Sequence, residues 1–259
     1  MELTFYKYQG TGNDFVMVDN RDEIFSKNDT KLISHLCDRR FGVGGDGLIL
    51  LENDDATDFR MVYFNSDGNE SSMCGNGGRC IVAFAKQLGM IEEEAEFVAV
   101  DGRHHATIDE NNVVSLQMKD VNTITVYENY VFLDTGSPHH VELVDDLENM
   151  DVKKVGANIR YSGLYEHGSN VNFVSPNGTD KFSVRTYERG VEDETLSCGT
   201  GVTAVALAMK LLGHTDADTV LLETPGGELS VSFVQQGKQF SDIFLTGPAT
   251  FVFKGAIEW

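Results

Sequence analysis

The sequence has 259 residues, 41% of them hydrophobic, which is enough apolar material for one large domain or two small ones. Its formal net charge of −21 at pH 7 would repel nucleic acids and anionic membranes, so neither is expected as a partner. It contains no apolar run long enough for a transmembrane helix, and its start, MELTFYKYQG, lacks the pattern of a signal peptide. We therefore expect a cytoplasmic protein whose four cysteines are reduced.

Helix and strand patterns alternate along the chain. The elements predicted in the first half are a helix over Lys31–Arg39, strands over Leu48–Leu51 and Arg60–Phe64, a helix over Arg79–Leu88, and strands over Glu96–Val100, His105–Ile108 and Val113–Met118. The elements predicted in the second half are a strand over Phe182–Tyr187, a helix over Val202–Leu212, and strands over Val220–Glu223 and Leu229–Val234. Both long helices are strongly apolar and are followed by a glycine, which is typical of central, buried helices.

The two halves of the sequence match each other at one fixed offset. Cys74-Gly-Asn-Gly77 recurs as Cys198-Gly-Thr-Gly201, at an offset of 198 − 74 = 124 residues. Further matches at this offset are Thr11-Gly12 with Thr135-Gly136, Gly44 with Gly168, Tyr63 with Tyr187, Glu70 with Glu194, Lys86 with Lys210, Leu88-Gly89 with Leu212-Gly213, and Gly102 with Gly226. This indicates an α/β (α+β) fold of two pseudo-symmetric domains, residues 1–120 and 121–247, each with a mixed β-sheet wrapped around a central helix.

The paired cysteines suggest the chemistry. Cys74 and Cys198 each stand before a glycine-rich turn that opens a helix, where backbone N–H groups can bind a carboxylate and stabilise a thiolate. A pseudo-twofold axis would bring the two thiols to opposite sides of one cleft. One thiolate could then remove a proton from a substrate carbon while the other thiol delivers a proton to the opposite face. The sequence therefore predicts an amino-acid epimerase.

Other interpretations explain less of the sequence. Cys37 and Cys80 lie within predicted helices and are expected to be small buried residues. A cysteine hydrolase that uses His139 or His140 is the alternative from another enzyme class, but it gives no reason for two equivalent cysteines. No metal-ligand motif or phosphate loop occurs, and the glycine spacing at residues 42–47 precedes a strand instead of a helix. We therefore expect neither a metal nor another cofactor.

In order along the chain, six segments resemble those of the diaminopimelate epimerases. They are Gly10-Thr-Gly-Asn-Asp-Phe15, Gly42–Leu48, Phe64-Asn-Ser-Asp-Gly68, Cys74-Gly-Asn-Gly77, Tyr187-Glu-Arg-Gly190 and Cys198-Gly-Thr-Gly201. The resemblance covers essentially the whole chain. It implies interconversion of LL- and meso-diaminopimelate for lysine and peptidoglycan synthesis, without pyridoxal phosphate or metal. It also implies a homodimer, and a C-terminal segment (about 248–259) that returns to complete the first domain.

The resemblance assigns site residues by position. Cys74 and Cys198 match the catalytic pair, and the residues after them, Gly75-Asn76 and Gly199-Thr200, match the backbone cradle for the reacting carboxylate. The residues that match the family's substrate-gripping groups are Asn13, Asn65, Asn172, Glu188 and Arg189. An arginine can bind a distant carboxylate in a fork, and a glutamate or amide oxygen can accept from an ammonium group.

Two positions depart from the family pattern. Ser137 stands where an asparagine is common, before Pro138 and His139, so the substrate shell has a shorter polar group there. Gly47 stands where a glutamine is frequent, so a side-chain contact is lost. A proline racemase or hydroxyproline epimerase is the alternative within the same fold. Those enzymes usually carry a histidine after the first Cys-Gly, where this chain has Asn76.

Overall fold

A computed structural model describes residues 2–71 and 73–258. The chain divides into two compact units. Unit 1 ends at Leu116 and resumes at Gly247, and unit 2 runs from Gln117 to Thr246. The boundaries predicted from the sequence are 120/121 and 247/248. No helix in the described ranges has the length and apolarity needed to cross a lipid bilayer.

The secondary structure follows the chain in two similar series. The first series is β1 (Glu2–Gly10), β2 (Asn13–Asp19), α1 (Thr30–Cys37), β3 (Gly47–Glu52), β4 (Phe59–Asn65), α2 (Gly75–Gln87), β5 (Glu94–Ala99), β6 (Gly102–Ile108) and β7 (Val113–Gln117). The second is β8 (Ile124–Val126), β9 (Tyr130–Asp134), β10 (Pro138–Leu143), α3 (Val152–Arg160), β11 (Asn170–Pro176), β12 (Lys181–Glu188), β13 (Asp193–Thr195), α4 (Gly199–Leu211), β14 (Thr219–Thr224), β15 (Gly227–Gln236) and β16 (Gln239–Pro248), followed by β17 (Thr250–Glu258).

Each unit contains the same mixed sheet. In unit 1 the strand order is β17-β1-β2-β3-β4-β5-β6-β7, with parallel pairing only at β2–β3 and β4–β5. In unit 2 the order is β8-β9-β10-β11-β12-β14-β15-β16, with parallel pairing only at β10–β11 and β12–β14. The last strand of the chain, β17, therefore occupies in unit 1 the position that β8 has in unit 2.

The central strand β3 is buried because a helix covers each of its faces. Strand β3 is buried at all six positions. Its residues Leu48 and Leu50 pack with Ile33 of α1 on one face. Ile49 points to the opposite face, where it lies against α2 beside Gly77. Helix α2 is itself buried from Gly75 to Ala85, as expected for a helix enclosed by a sheet.

The predicted elements are confirmed, with one systematic error at the helix starts. Helices α2 and α4 begin at Gly75 and Gly199, whereas the sequence predicts Arg79 and Val202. Glycine costs about 1 kcal/mol in a helix relative to alanine, so propensity argues against helix in these turns. Burial of the first turn in both units outweighs this cost.

The duplication is also visible in the backbone, with one correction. Three pairs of glycines at the 124-residue offset share a positive φ: Gly12 with Gly136, Gly44 with Gly168, and Gly89 with Gly213. The predicted match of Gly102 with Gly226 is wrong, because Gly227 is the glycine that begins β15 with a φ of +138°, as Gly102 begins β6 with +127°. The second half therefore carries one extra residue between its central helix and the hairpin that follows.

Candidate active site

Cys74 is the residue that caps the N-terminus of α2. Its backbone is extended, with φ −103° and ψ 124°, and its thiol makes no capping hydrogen bond. The carbonyl of Cys74 accepts the first helical bond from the N–H of Gly78, at 2.7 Å. The first turn contains no acidic residue, so no carboxylate of the helix itself competes for its N–H groups.

Two predicted substrate-shell residues lie next to Cys74. The thiol donates to Oδ1 of Asn13 at 3.5 Å, and Nδ2 of Asn76 donates to the same oxygen at 3.3 Å. The amide of Asn13 is oriented by its other end, because its Nδ2 donates to Oδ2 of Asp46 at 2.6 Å. Cys74 is partly exposed, whereas Asn76 is only 1% exposed. The Asn76 side chain is therefore buried and supports the site through its hydrogen bond to Asn13.

A neutralised charge cluster lies behind Asn13. Asp14 forms ion pairs with Lys7 at 2.7 Å and with Arg39 at 2.6 Å, and Arg39 also pairs with Asp46 at 2.7 Å. Burial opposes ionisation of Asp14, but the hydrogen bonds and charges of Arg39 and Lys7 outweigh it and lower its pKa to about 2. The negative charges of the two aspartates are thus neutralised by the positive charges of Lys7 and Arg39.

Asn65 and Gly47 occupy different surroundings. Asn65 ends β4 in a tight turn, in which Gly68 donates to its carbonyl at 2.9 Å, and its side chain is exposed. No hydrogen bond joins that side chain to Cys74 among the described residues.

At Gly47, an added Cβ would lie 2.4 Å from the carbonyl oxygen of Phe64 and 2.5 Å from the ring of Tyr63. A side chain at this position would therefore collide with the Phe64 carbonyl and the Tyr63 ring.

Cys198 repeats the arrangement in unit 2. It caps α4 with an extended backbone, φ −122° and ψ 110°, and again the first turn has no acidic residue. Its sulfur lies 3.6 Å from Oγ1 of Thr200. Oγ1 of Thr135 donates to the carbonyl of Thr200 at 2.8 Å and fixes the turn. A methyl group on Gly201 would lie 2.4 Å from Oδ1 of Asn172 and 3.3 Å from the sulfur, so only glycine fits there.

His139 lies behind Thr200 and is fully buried. Its Nε2 is 2.9 Å from Oγ1 of Thr200, and its Nδ1 is 3.1 Å from Nδ2 of Asn172. Burial, and then the charge of Arg189, lower the pKa of His139 to about 3, so the ring is neutral at physiological pH. No hydrogen bond joins it to Cys198 in the described part of the chain. These features do not match the thiolate–imidazolium pair of a cysteine hydrolase.

Asn172 holds His139 in place. It is fully buried; its Nδ2 also donates to the carbonyl of His140 at 2.9 Å, and its Oδ1 accepts from Oγ1 of Thr186 at 3.0 Å. Both ends of the amide are thus engaged within the protein. His139 was not predicted from the sequence as a support for the cysteine. Its position after Ser137-Pro138 was the available signal.

Arg189 and Ser137 come together at the end of β12. Nη2 of Arg189 lies 3.5 Å from Oγ of Ser137, and Nη1 donates to the carbonyl of His167 at 3.2 Å. Among the described residues, no carboxylate forms an ion pair with Arg189, so it is not paired with its neighbour Glu188. Glu188 accepts instead from Oγ1 of Thr195 at 3.1 Å. The guanidinium is therefore a partly buried cation without an internal counter-ion.

No group of three or more His, Cys, Asp or Glu side chains suited to a metal ion occurs in the ranges that the structure covers. Cys37 and Cys80 are buried, as the sequence predicts for them, and burial raises the pKa of each thiol to about 12. They are therefore protonated at neutral pH. Cys74 and Cys198 are the two cysteines that cap helices.

Residues 5–124 and 131–252 match the family model for diaminopimelate epimerase. A diaminopimelate epimerase from Flavobacterium psychrophilum is 62% identical over 256 residues, which cover 98% of this chain and 100% of that protein. A crystal structure of a Bacillus anthracis phenazine biosynthesis protein of the PhzF family has a TM-score of 0.79 at 13% identity, and covers 100% of both chains. A hydroxyproline epimerase structure from Agrobacterium vitis has a TM-score of 0.72 at 13% identity, covering 99% of this chain and 92% of that one.

The two solved structures establish the fold class, a mixed-sheet α+β fold shared with these isomerases and biosynthetic proteins. The family model and the relative establish the family. This chain belongs to the diaminopimelate epimerase family.

Proposed function

We propose that this protein is an isomerase that interconverts LL- and meso-diaminopimelate, with Cys74 and Cys198 as the two acid–base groups. The observation that carries the proposal is the repeated cysteine. In each unit a cysteine caps a buried helix of 13 residues whose first turn is glycine-rich and contains no acid. The name of the 62%-identical relative supports the choice of substrate.

The chemistry follows from the helix starts. A substrate carboxylate can accept hydrogen bonds from the N–H groups of the first helical turns after Cys74 and Cys198, for example those of Gly75 and Gly199. The same groups stabilise the negative charge that develops when the α-proton leaves. One cysteine, as thiolate, takes that proton and becomes a thiol. The other gives its proton to the opposite face of the carbon and becomes a thiolate, so the configuration inverts and no proton is gained or lost overall.

The distal end of the substrate is assigned to unit 2. Arg189 forms no ion pair among the described residues and can bind a second carboxylate, beside the hydroxyl of Ser137. Glu188 can accept from the distal ammonium group. Asn13 and Asn65 are the proposed substrate residues of unit 1, where their amide oxygens can accept hydrogen bonds. Asn172 is proposed as a support for His139 and not as a direct substrate contact, because its amide is fully engaged.

The unpaired guanidinium also separates this function from the alternatives. A proline racemase or hydroxyproline epimerase acts on a substrate without a second amino-acid end and would leave Arg189 without a role. A cysteine hydrolase would need a histidine that carries a proton beside its thiolate, whereas the pKa of His139 is lowered to about 3, mainly by burial. We further propose that the enzyme works without metal or pyridoxal phosphate, as a cytoplasmic homodimer, in lysine and peptidoglycan synthesis.

Incubation in deuterated water tests the proposal. The full-length protein is given LL-diaminopimelate or L-proline, and deuterium at the α-carbon is followed by mass spectrometry. We expect exchange and conversion to the meso form with diaminopimelate, and no exchange with proline. Single Cys74→Ala and Cys198→Ala variants should lose epimerisation by several orders of magnitude while remaining folded. Exchange into proline alone, or near-normal turnover in either variant, would refute the proposal.

A further inference from the structure

A buried arginine lies beneath the Cys74 helix start. Arg79, one turn into α2, is 0% exposed and is the largest fully buried side chain in the described structure. Its Nη1 donates to the carbonyl of Gly75 at 3.3 Å, and its Nη2 donates to Oγ1 of Thr11 at 3.1 Å and to Oδ1 of Asn76 at 3.0 Å. All three acceptors are neutral, and Nε has no partner among the described residues.

Arg79 therefore lacks a carboxylate where one is expected. Buried charges in proteins are normally paired, because an isolated ion is strongly destabilised away from water. Guanidinium nevertheless remains protonated, because its ordinary pKa exceeds 12. Burial lowers the pKa of Arg79, and the thiols of Cys80 and Cys74, when ionised, oppose that effect. Cys80 is protonated at neutral pH, as its pKa is raised to about 12 by burial. Cys74 is thus the remaining group able to supply the missing negative charge.

The other ionisable groups around α2 do not take this role. Asp14 couples to Cys80, but Lys7 and Arg39 already neutralise Asp14. Asp46 is paired with Arg39. Tyr8 of β1 also couples to Cys80, and burial raises the pKa of Tyr8 far above neutrality, so its hydroxyl is uncharged.

Hydrogen bonds connect Arg79 to the residues beside the thiol, because the guanidinium orients the Asn76 amide, whose Nδ2 donates to Oδ1 of Asn13. That oxygen accepts from the protonated thiol of Cys74, so the thiolate is stabilised by the charge of Arg79 and not by this chain of hydrogen bonds. Gly10 makes the approach of Arg79 possible, because a Cβ at that position would lie 3.2 Å from Nη2.

The second unit carries no charge at the position equivalent to Arg79. At the 124-residue offset, Arg79 corresponds to Thr203, which is also fully buried. Oγ1 of Thr203 donates to the carbonyl of Gly199 at 2.9 Å, the equivalent of the Gly75 carbonyl that Arg79 contacts. The two helix starts therefore share one hydrogen bond and differ by one buried positive charge.

We propose that Arg79 is a positioning residue whose unpaired charge stabilises the thiolate of Cys74, so that Cys74 is the proton acceptor in the free enzyme and Cys198 the proton donor. The difference between the two units gives each cysteine a defined protonation state in the free enzyme. This inference rests on the proposed role of the two cysteines in epimerisation.

The test is the pH dependence of alkylation in the substrate-free, full-length protein. Initial rates of iodoacetamide labelling at Cys74 and Cys198 are measured across the pH range by peptide fragmentation. We expect the midpoint for Cys74 to lie below that for Cys198. In Arg79→Met, which removes the charge and keeps the bulk, the Cys74 midpoint should rise by about one unit or more, so that labelling near neutral pH falls about tenfold. The Cys198 midpoint should not move, and Arg79→Lys should preserve most of the Cys74 profile.

Thr203→Val is the matched control, because it removes the equivalent hydrogen bond without changing a charge, and both midpoints should stay in place. A Cys74 profile unchanged in Arg79→Met, an equal shift at Cys198, or a wild-type Cys74 midpoint at or above that of Cys198 would overturn the proposal. The wild-type comparison decides the matter even if Arg79→Met does not fold. Labelling needs no substrate, so its failure is distinct from failure of the proposed function, which the turnover of Cys74→Ala reports.

Discussion

Nε2 of His139 lies 2.9 Å from the hydroxyl oxygen of Thr200. Nδ1 of the ring lies 3.1 Å from the donor Nδ2 of Asn172, which is closer than the 3.5 Å between Nε2 and Nδ2 of Asn170. We therefore assign the ring proton to Nε2, which donates to Thr200. The Thr200 hydroxyl is then free to donate its own proton to the sulfur of Cys198, 3.6 Å away. A neutral imidazole thus orients a hydroxyl that stabilises the thiolate formed when Cys198 gives up its proton.

The contacts between His139, Thr200 and Cys198 predict the effect of removing the Thr200 hydroxyl. Thr200→Val should lower kcat about tenfold, the equivalent of one hydrogen bond to a charged group. Thr200→Ser keeps the hydroxyl and should retain most of the activity. Turnover of LL-diaminopimelate measures both variants. Equal activity in the valine variant and the wild type would show that the hydroxyl has no part in catalysis.

Gly77 and Gly201, each three residues after its cysteine, predict an asymmetry between the units. In Gly201→Ala the new methyl would meet Oδ1 of Asn172 at 2.4 Å, and that amide cannot move without breaking three hydrogen bonds. In Gly77→Ala the nearest atom is the flexible end of Ile49 at 2.9 Å. We expect Gly201→Ala to lose about 1–3 kcal/mol of stability and most of its activity. Gly77→Ala should be clearly milder, as measured by urea unfolding and turnover, and the reverse order would contradict this packing argument.

Arg189 predicts substrate selectivity. Replacing it with methionine removes a charge-assisted contact to a distal carboxylate, so kcat/KM for diaminopimelate should fall about 10- to 100-fold. Residual α-deuterium exchange into a monoamino acid such as alanine should be unchanged, since that substrate has no second carboxylate. Exposed Arg103 is a suitable control, and Arg103→Met should leave both rates as they are. Equal losses for both substrates in Arg189→Met would exclude a distal role.

His139 predicts a pH dependence of stability. Its pKa is lowered from 6.5 to about 3 by burial and by Arg189, so the unfolded chain binds one more proton than the folded protein between these pH values. The free energy of unfolding should therefore fall with decreasing pH by about 1.4 kcal/mol per unit from this group, beginning near pH 6.5. In His139→Gln that contribution should vanish, which urea titrations at several pH values will show as a shallower slope. An identical slope in both proteins would mean that the histidine is already charged in the fold.

The sequence predicted the regular elements because apolar periodicity and glycine punctuation are local. Strand Arg60–Phe64 corresponds to β4, and the strand after Val113 corresponds to β7. It predicted the helix starts late, because the glycine-rich turns after Cys74 and Cys198 have poor helical propensity in isolation. The predicted match of Gly102 with Gly226 was wrong because the second half has one extra residue after Gly213. A single inserted residue does not change the composition of a segment enough to be recognised.

Sequence alone determined that there are two equivalent cysteines, each before a glycine-rich turn, and which residues match the family pattern. Tertiary structure decided what surrounds each thiol: Asn13, Asn76 and the buried charge of Arg79 near Cys74, and Thr200, backed by His139 and Asn172, near Cys198. The reason is physical. A motif sets which groups are available, but burial and the loss of a counter-ion depend on strands distant in the chain. Those strands decide whether an arginine finds a counter-ion and whether a histidine is charged.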